Sequence, residues 1–255
     1  MKEIKRRILV VDDEITVCKS IRQAILSEDC DVDMALSGEE ALEKDNTNPY
    51  DLIISDLMMP GISGMDLLKS LKDKRPEVIV IMVTGYPTIK TAVQSVKIGA
   101  FDYIPKPFTP NELRSLIQRA FKAVEIKIKG ALTPVTVPSG IYVMRGQTWL
   151  RRDSNSRATV GIVHEFIQLL ESITQIELPR ENTSIFQGEV CVRLADEAKN
   201  SHRVWSPASG KIIEVNTELE KDFALLKKDP YEKGWLFRIE SSSLDKDLKG
   251  LTPSE

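Results

Sequence analysis

The sequence predicts two unlike domains in series, an α/β doubly wound domain with a parallel five-stranded sheet and then a mainly β domain. Three observations carry this expectation. Short apolar runs alternate with helix-period segments five times up to about residue 124. The alternation stops at "EIKIKGALTPVTVPSG", a stretch with two prolines, two glycines and little helical period. Beyond it, β-type runs recur between Gly and Pro punctuation. With 255 residues, each of two domains has enough chain to bury its own core.

The elements follow in order. "RILVV" reads as a first strand and is followed by a helix-period segment over 15–26. "DVDMAL" precedes "SGEEALEK", where Ser37 and Glu40 form a capping box at a helix start. "DLIIS" precedes "GMDLLKSLKD", and "VIVIMV" precedes "TIKTAVQSVKIG". Last come "AFDYI" and "TPNELRSLIQRAFKAV", with Thr109 as N-cap, Pro110 at the first helical position and Glu112 closing the box. Uninterrupted apolar strands such as "VIVIMV" suit a sheet covered on both faces. The domain spans 1–124, a linker is expected over 125–138, and the second domain spans 139–255. Its β-type runs are "IYVM", "TWLR", "ATVGIV", "TQIELP", "EVCVRLA", "GKIIEVN" and "GWLFRIE", with helical period in "HEFIQLLESI" and "TELEKDFALLKK". Trp149, Trp205 and Trp235 read as core and edge packing.

Composition excludes several functions. The formal net charge is −3 and charged residues make up 29%, without the basic excess of a nucleic-acid binder. No helix-turn-helix pattern stands out, so DNA binding is not expected. No apolar run approaches the ~20 residues of a membrane span, and the apolar start "ILVV" is too short for a signal peptide. Cys18, Cys30 and Cys191 are scattered without CxxC spacing, which fits reduced thiols in a cytoplasmic protein. His164 and His202 stand alone in the sequence.

In a parallel sheet of this kind, ligands sit beyond the carboxyl ends of the strands. The first strand ends in Asp12, Asp13 and Glu14, the third in Asp56, the fourth in Thr84-Gly85, and the fifth leads to Lys106-Pro107. Carboxylates gathered at one rim repel each other unless a cation joins them. Hard oxygen donors favour Mg2+, which keeps waters and takes one or two carboxylates plus phosphate oxygens. A lysine across the pocket adds positive charge, and Thr84 offers a hydroxyl to a phosphoryl oxygen. These parts describe a phosphoryl-transfer site with an Asp carboxylate as nucleophile.

Residues 6–124 resemble a response-regulator receiver domain of two-component signalling, which is flavodoxin-like in fold. "ILVVDDE", "DLIISDLMMPGISG", "VIMVTGY" and "FDYIPKPF" match that family's motifs in order and spacing. The resemblance implies Asp56 as phosphoacceptor, Asp12, Asp13, Asp56 and the backbone carbonyl of Met58 as Mg2+ ligands, and Lys106 as phosphoryl partner. It also implies Thr84 and Tyr103 as switch residues and a cis bond at Lys106-Pro107. A sensor histidine kinase is the implied donor. The responsive face would be the fourth helix, fifth strand and fifth helix, where a homodimer would also form.

Residues 139–249 resemble the H protein of the glycine cleavage system, a lipoyl-carrying β domain of barrel-sandwich type. "QTWLRRDSNSRATVGI", "LLESITQIELP" and "WSPASGKIIEVNTELEKDFALLKKDPYEKGWLFRIE" run parallel to the family pattern. Counted back from "SPASG", Lys199 falls on the lysine that carries lipoate in that family. Counted forward from Gly188, the position falls on Ala198, so one extra residue precedes the hairpin tip. An insertion reverses side-chain direction along a strand unless a bulge absorbs it. The neighbours differ too: the family has Glu-Ser-Val before its lysine and Ala after it, where this chain has Asp196-Glu197-Ala198 and Asn200, a more acidic tip. The expected function is therefore a phosphorelay response regulator whose H-protein-like domain is a protein-interaction module, with no enzymatic activity beyond the receiver's own phosphorylation and dephosphorylation. The alternative is a phosphorylation-regulated lipoyl carrier with lipoate on Lys199, linked to glycine cleavage or lipoate metabolism.

Overall fold

The computed structural model describes residues 5–27, 29–86, 88–128, 137–144, 146–170, 172–197 and 199–254. The chain divides into two compact units, Met1–Ala120 and Phe121–Glu255.

In the first unit, strands β1 (Arg6–Val11), β2 (Cys30–Ala35), β3 (Leu52–Asp56), β4 (Ile79–Thr84) and β5 (Asp102–Pro105) form one parallel sheet in the order β2-β1-β3-β4-β5. Helices α1 (Ile15–Ile25), α2 (Gly38–Thr47), α3 (Gly64–Lys74), α4 (Ile89–Ile98) and α5 (Pro110–Ile128) alternate with the strands. Residues of both parities along β1, β3 and β4 are buried, so helices cover both faces, as the uninterrupted apolar runs require. This is the doubly wound α/β architecture. Both helix starts read from sequence are capped, but only the Thr109 box closes fully, since Glu40 bonds the N–H before Ser37 rather than that of Ser37 itself. Ser37 Oγ accepts the Glu40 N–H while Glu40 reaches back to the Leu36 N–H. Thr109 Oγ1 accepts the Glu112 N–H and Glu112 accepts the Thr109 N–H.

One expectation needs correction. Residues 125–128 continue α5 rather than opening a linker. Once a helix is nucleated and packed through Leu113, Leu116, Ile117 and Ala120, each added residue gains a hydrogen bond at little entropic cost. That outweighs the weak helical period of "EIKIK". The remainder of the expected linker, over 129–136, lies outside the described residues.

The second unit is mainly antiparallel β. Strands β6 (Ile141–Met144), β7 (Thr148–Arg152), β8 (Arg157–Ile162), β10 (Ser184–Ile185), β13 (Gly210–Val215), β14 (Trp235–Glu240) and β15 (Thr252–Pro253) make a seven-stranded sheet in the order β10-β13-β14-β8-β7-β6-β15. Strands β9 (Ile173–Glu177), β11 (Val190–Asp196) and β12 (Ser201–Trp205) make a second sheet in the order β12-β11-β9. One core draws on both, with Trp149, Val160, Ile162 and Phe237 from the first and Val192, Leu194 and Val204 from the second. Gly161 is fixed by this packing, since a Cβ there would lie 2.3 Å from the Trp149 ring.

Short helices α6 (His164–Leu169), α7 (Leu225–Lys228) and α8 (Leu244–Leu248) complete the unit. "TELEKDFALLKK" is not one helix: a 3-10 turn over Thr217–Glu220 and α7 share it. Asp222 Oδ1 accepts the Ala224 N–H, a local side-chain bond that competes with helix continuation. Strands β10 and β15 and helix α8 have no counterpart in the sequence reading, and β12 enters it only as the far arm of the hairpin at Lys199.

Candidate functional site

Strand order places the carboxyl ends of β1, β3, β4 and β5 side by side, and four of the singled-out side chains meet there. Asp12 and Asp56 are 2% and 6% exposed. Lys106 Nζ donates to both, at 2.7 Å to Asp12 Oδ2 and 2.8 Å to Asp56 Oδ1. The second Asp56 oxygen accepts the Met58 N–H at 2.6 Å, and Asp12 Oδ1 accepts the Glu14 N–H. Lys106 is tied to β4, because its backbone N–H donates to the Thr84 carbonyl at 2.7 Å. The Lys106–Pro107 bond is cis. Thr84 is fully buried and its Oγ1 accepts the Tyr86 N–H, which leaves its own proton to donate. Gly64 closes the β3–α3 loop, where a Cβ would fall 2.0 Å from the Asp56 carbonyl oxygen.

Burial raises the Asp56 pKa, against the hydrogen bond and charge of Lys106. Burial also opposes the charged form of Lys106, but hydrogen bonds from Asp12 and Asp56 and their charges outweigh it and raise the lysine's pKa. Two carboxylates against one ammonium leave the pocket net negative. Asp13 follows Asp12 at the same rim and is exposed, and among the described residues no three acidic, histidine or cysteine side chains are drawn together as a metal cluster. Asp12 and Asp56 are thus bridged by the lysine. Tyr103 on β5 is buried, with its hydroxyl 3.4 Å from Thr91 Oγ1 on α4.

In the second unit, Lys199 sits at the tip of the β11–β12 hairpin, exposed and at φ +62°. The extra residue is absorbed as expected of a bulge. Val190 pairs with Trp205 and Val192 with Val204, so Cys191 has no counterpart on β12. Cys191 and Val192 are both buried in succession, and the in–out alternation resumes beyond them. Asp196 anchors the tip from below. Its carboxylate accepts the Asn200 backbone N–H at 2.9 Å and the Asn200 side chain at 3.1 Å, and lies 3.0 Å from His202 Nε2. Burial disfavours the charged carboxylate, yet the bonds from His202 and Asn200 prevail and lower its pKa. Asp196 thus faces inward and adds nothing to the acidity of the tip surface. His202 does not stand alone, a pairing hidden in the sequence because it forms only across the hairpin.

Residues 8–118 match the family described as response regulator receiver domain, and residues 141–255 the family described as glycine cleavage H-protein. The glycine cleavage system H protein of Coxiella burnetii (strain Dugway 5J108-111) is 34% identical over 118 residues, covering 46% of this chain and 89% of that protein. This chain belongs to the H-protein family in its second half, and its first half matches the receiver family.

The receiver half is 32% identical over 130 residues to the DNA-binding transcriptional regulator NtrC of Klebsiella pneumoniae, covering 51% of this chain and 28% of that protein. It thus spans little more than a quarter of that relative. A receiver domain structure from Clostridium thermocellum is similar at 35% identity, covering 48% of this chain and 98% of that one, with TM-score 0.45. Receiver domains generally bind Mg2+ and H-protein domains carry lipoate. The receiver pocket fits a hard divalent ion, since its donors are all oxygen and its charge is not balanced by Lys106 alone. The H-protein hairpin fits an acyl-type modification, since Lys199 is exposed on a tip whose backbone is pinned by Asp196. No helix among the described residues is long and apolar enough to cross a membrane.

Proposed function

We propose that this chain is a cytoplasmic response regulator whose Asp56 accepts a phosphoryl group from a sensor histidine kinase, and whose H-protein domain is an output module that docks on a protein partner. The observation that carries this reading is Lys106 Nζ held between Asp12 and Asp56 at hydrogen-bond distance. An Asp56 oxygen attacks the phosphorus, an O–P bond forms, and the P–N bond to the donor histidine breaks with its electron pair returning to the ring. Lys106 then pairs with the phosphoryl oxygens, and the Thr84 hydroxyl donates to one of them. Mg2+ held by Asp12, Asp56 and the Met58 carbonyl, with Asp13 from the exposed end of the strand, would neutralise charge on those oxygens.

The added charge of roughly −1 and the new acceptor oxygens draw Thr84 inward. Tyr103 follows, and the surface of α4, β5 and α5 changes, where a homodimer forms. The chain performs no chemistry beyond making and hydrolysing its own acyl phosphate. Output is protein docking rather than DNA binding, because an H-protein domain follows the receiver. The test is Asp56→Asn: wild type takes up a phosphoryl group from acetyl phosphate and the variant does not. Equal uptake by the variant rejects the assignment.

A second reading is favoured by the Cys191 bulge, which restores Lys199 to an exposed tip. In that reading Lys199 carries lipoate and the receiver regulates a cofactor carrier. Mass spectrometry of the chain from its native cells separates the two: a stoichiometric lipoyl amide on Lys199 selects the carrier, and an unmodified Lys199 selects the docking module.

A further inference from the structure

We propose that Thr91 is a positioning residue that couples Tyr103 to the first turn of α4 through a hydroxyl for which two donors compete. Thr91 Oγ1 has four polar neighbours: the Thr88 N–H at 3.3 Å, the Thr88 carbonyl at 3.0 Å, Thr88 Oγ1 at 2.9 Å and the Tyr103 hydroxyl at 3.4 Å. A hydroxyl has one proton and two lone pairs, so it satisfies three partners. Its proton goes to the Thr88 carbonyl and one lone pair takes the Thr88 N–H, closing the capping box. The Thr88 and Tyr103 hydroxyls then compete for the last lone pair. At 3.4 Å the tyrosine bond is long for O–H···O, so a shift of a few tenths of an ångström decides the winner.

Both competitors lead back to Thr84. Tyr103 lies on β5 beside β4, in the register that pairs Met82 with Tyr103 and Thr84 with Pro105. Thr88 is four residues along the chain, and the intervening Tyr86 N–H donates to Thr84 Oγ1. This inference rests on the proposed phosphorylation for its use: when the Thr84 hydroxyl turns to a phosphoryl oxygen, Tyr103 closes on Thr91 and displaces the Thr88 hydroxyl. The start of α4 is then tied to β5.

The test uses the full chain, with amide exchange over 91–94 and peptide-mapped nitration of Tyr103; Tyr86, 76% exposed, is the internal control. Thr91→Val raises both readouts at least fivefold in the unmodified chain, because the tyrosine bond and the hydroxyl's capping-box bonds are lost together. Thr91→Ser, which keeps the hydroxyl, stays near wild type. In a double-mutant cycle, the exchange effects of Thr91→Val and Tyr103→Phe are less than additive. Full additivity, or wild-type nitration of Tyr103 in Thr91→Val, overturns the coupling. These readouts need no phosphoryl donor, so failure of Asp56 to become labelled defeats the signalling reading and leaves this coupling standing.

Discussion

Lys106→Met removes the ammonium that two buried carboxylates share, and its cost depends on pH in a way the geometry fixes. Breaking a buried pair by deleting one partner costs about 3–5 kcal/mol. The Lys106 side chain is 25% exposed and its carboxylates lie at a rim, so solvent softens the loss to about 2–3 kcal/mol near pH 8. Burial already raises the Asp56 pKa, and Lys106 restrains the rise. Without the lysine the folded pKa climbs further. A carboxyl group whose folded pKa exceeds its unfolded value contributes stability that is complete below about pH 4 and is lost as pH rises through the folded value. The variant therefore loses most near pH 8 and less near pH 5, because protonation of Asp56 relieves the unpaired charge as pH falls.

The assay is urea unfolding read two ways. All three tryptophans lie in the C-terminal unit, and most long helices lie in the receiver. Helical ellipticity should lose about 1 M of midpoint near pH 8 while the tryptophan transition stays put, and millimolar Mg2+ should restore part of the loss. Equal loss at both pH values, or a stabilised receiver, refutes the shared-ammonium reasoning.

Other outcomes follow from single contacts. Gly64→Ala drives a Cβ to 2.0 Å from the Asp56 carbonyl, so the β3–α3 loop shifts and the receiver loses about 2–3 kcal/mol, measured by the same ellipticity midpoint. Asp196→Ala removes the anchor of Asn200 and His202, and the β11–β12 hairpin amides exchange at least tenfold faster. In wild type the lowered Asp196 pKa means its stabilisation is complete above about pH 4 and fades as pH falls through the folded value, which hairpin amide exchange across that range registers.

The receiver was legible because its strands are short, uninterrupted apolar runs and its helix starts carry explicit caps at Ser37 and Thr109. The site was legible because a parallel sheet gathers whatever follows its strand ends, so Asp12, Asp56, Thr84 and Lys106 could be placed together from order alone. The second domain was harder to read. Strand β12 carries Ser201, His202 and Arg203 and gains its conformation from pairing with β11 rather than from its own residues. The Asp196–His202 and Thr91–Tyr103 contacts form only on folding, and Asp196, His202 and Thr91 each alone look like ordinary polar residues. The Cys191 bulge was foreshadowed by the one-residue mismatch between counts from Gly188 and from "SPASG", though not its position.

The central claim is that Asp56 captures a phosphoryl group in a pocket charged by two carboxylates and one lysine. Its most direct measurement is incubation of the full chain with acetyl phosphate and Mg2+, borohydride trapping, and peptide mapping. The account predicts one label, on the peptide containing Asp56, dependent on Mg2+ and sharply reduced in Lys106→Met. A label elsewhere, or none at saturating donor and metal, contradicts it.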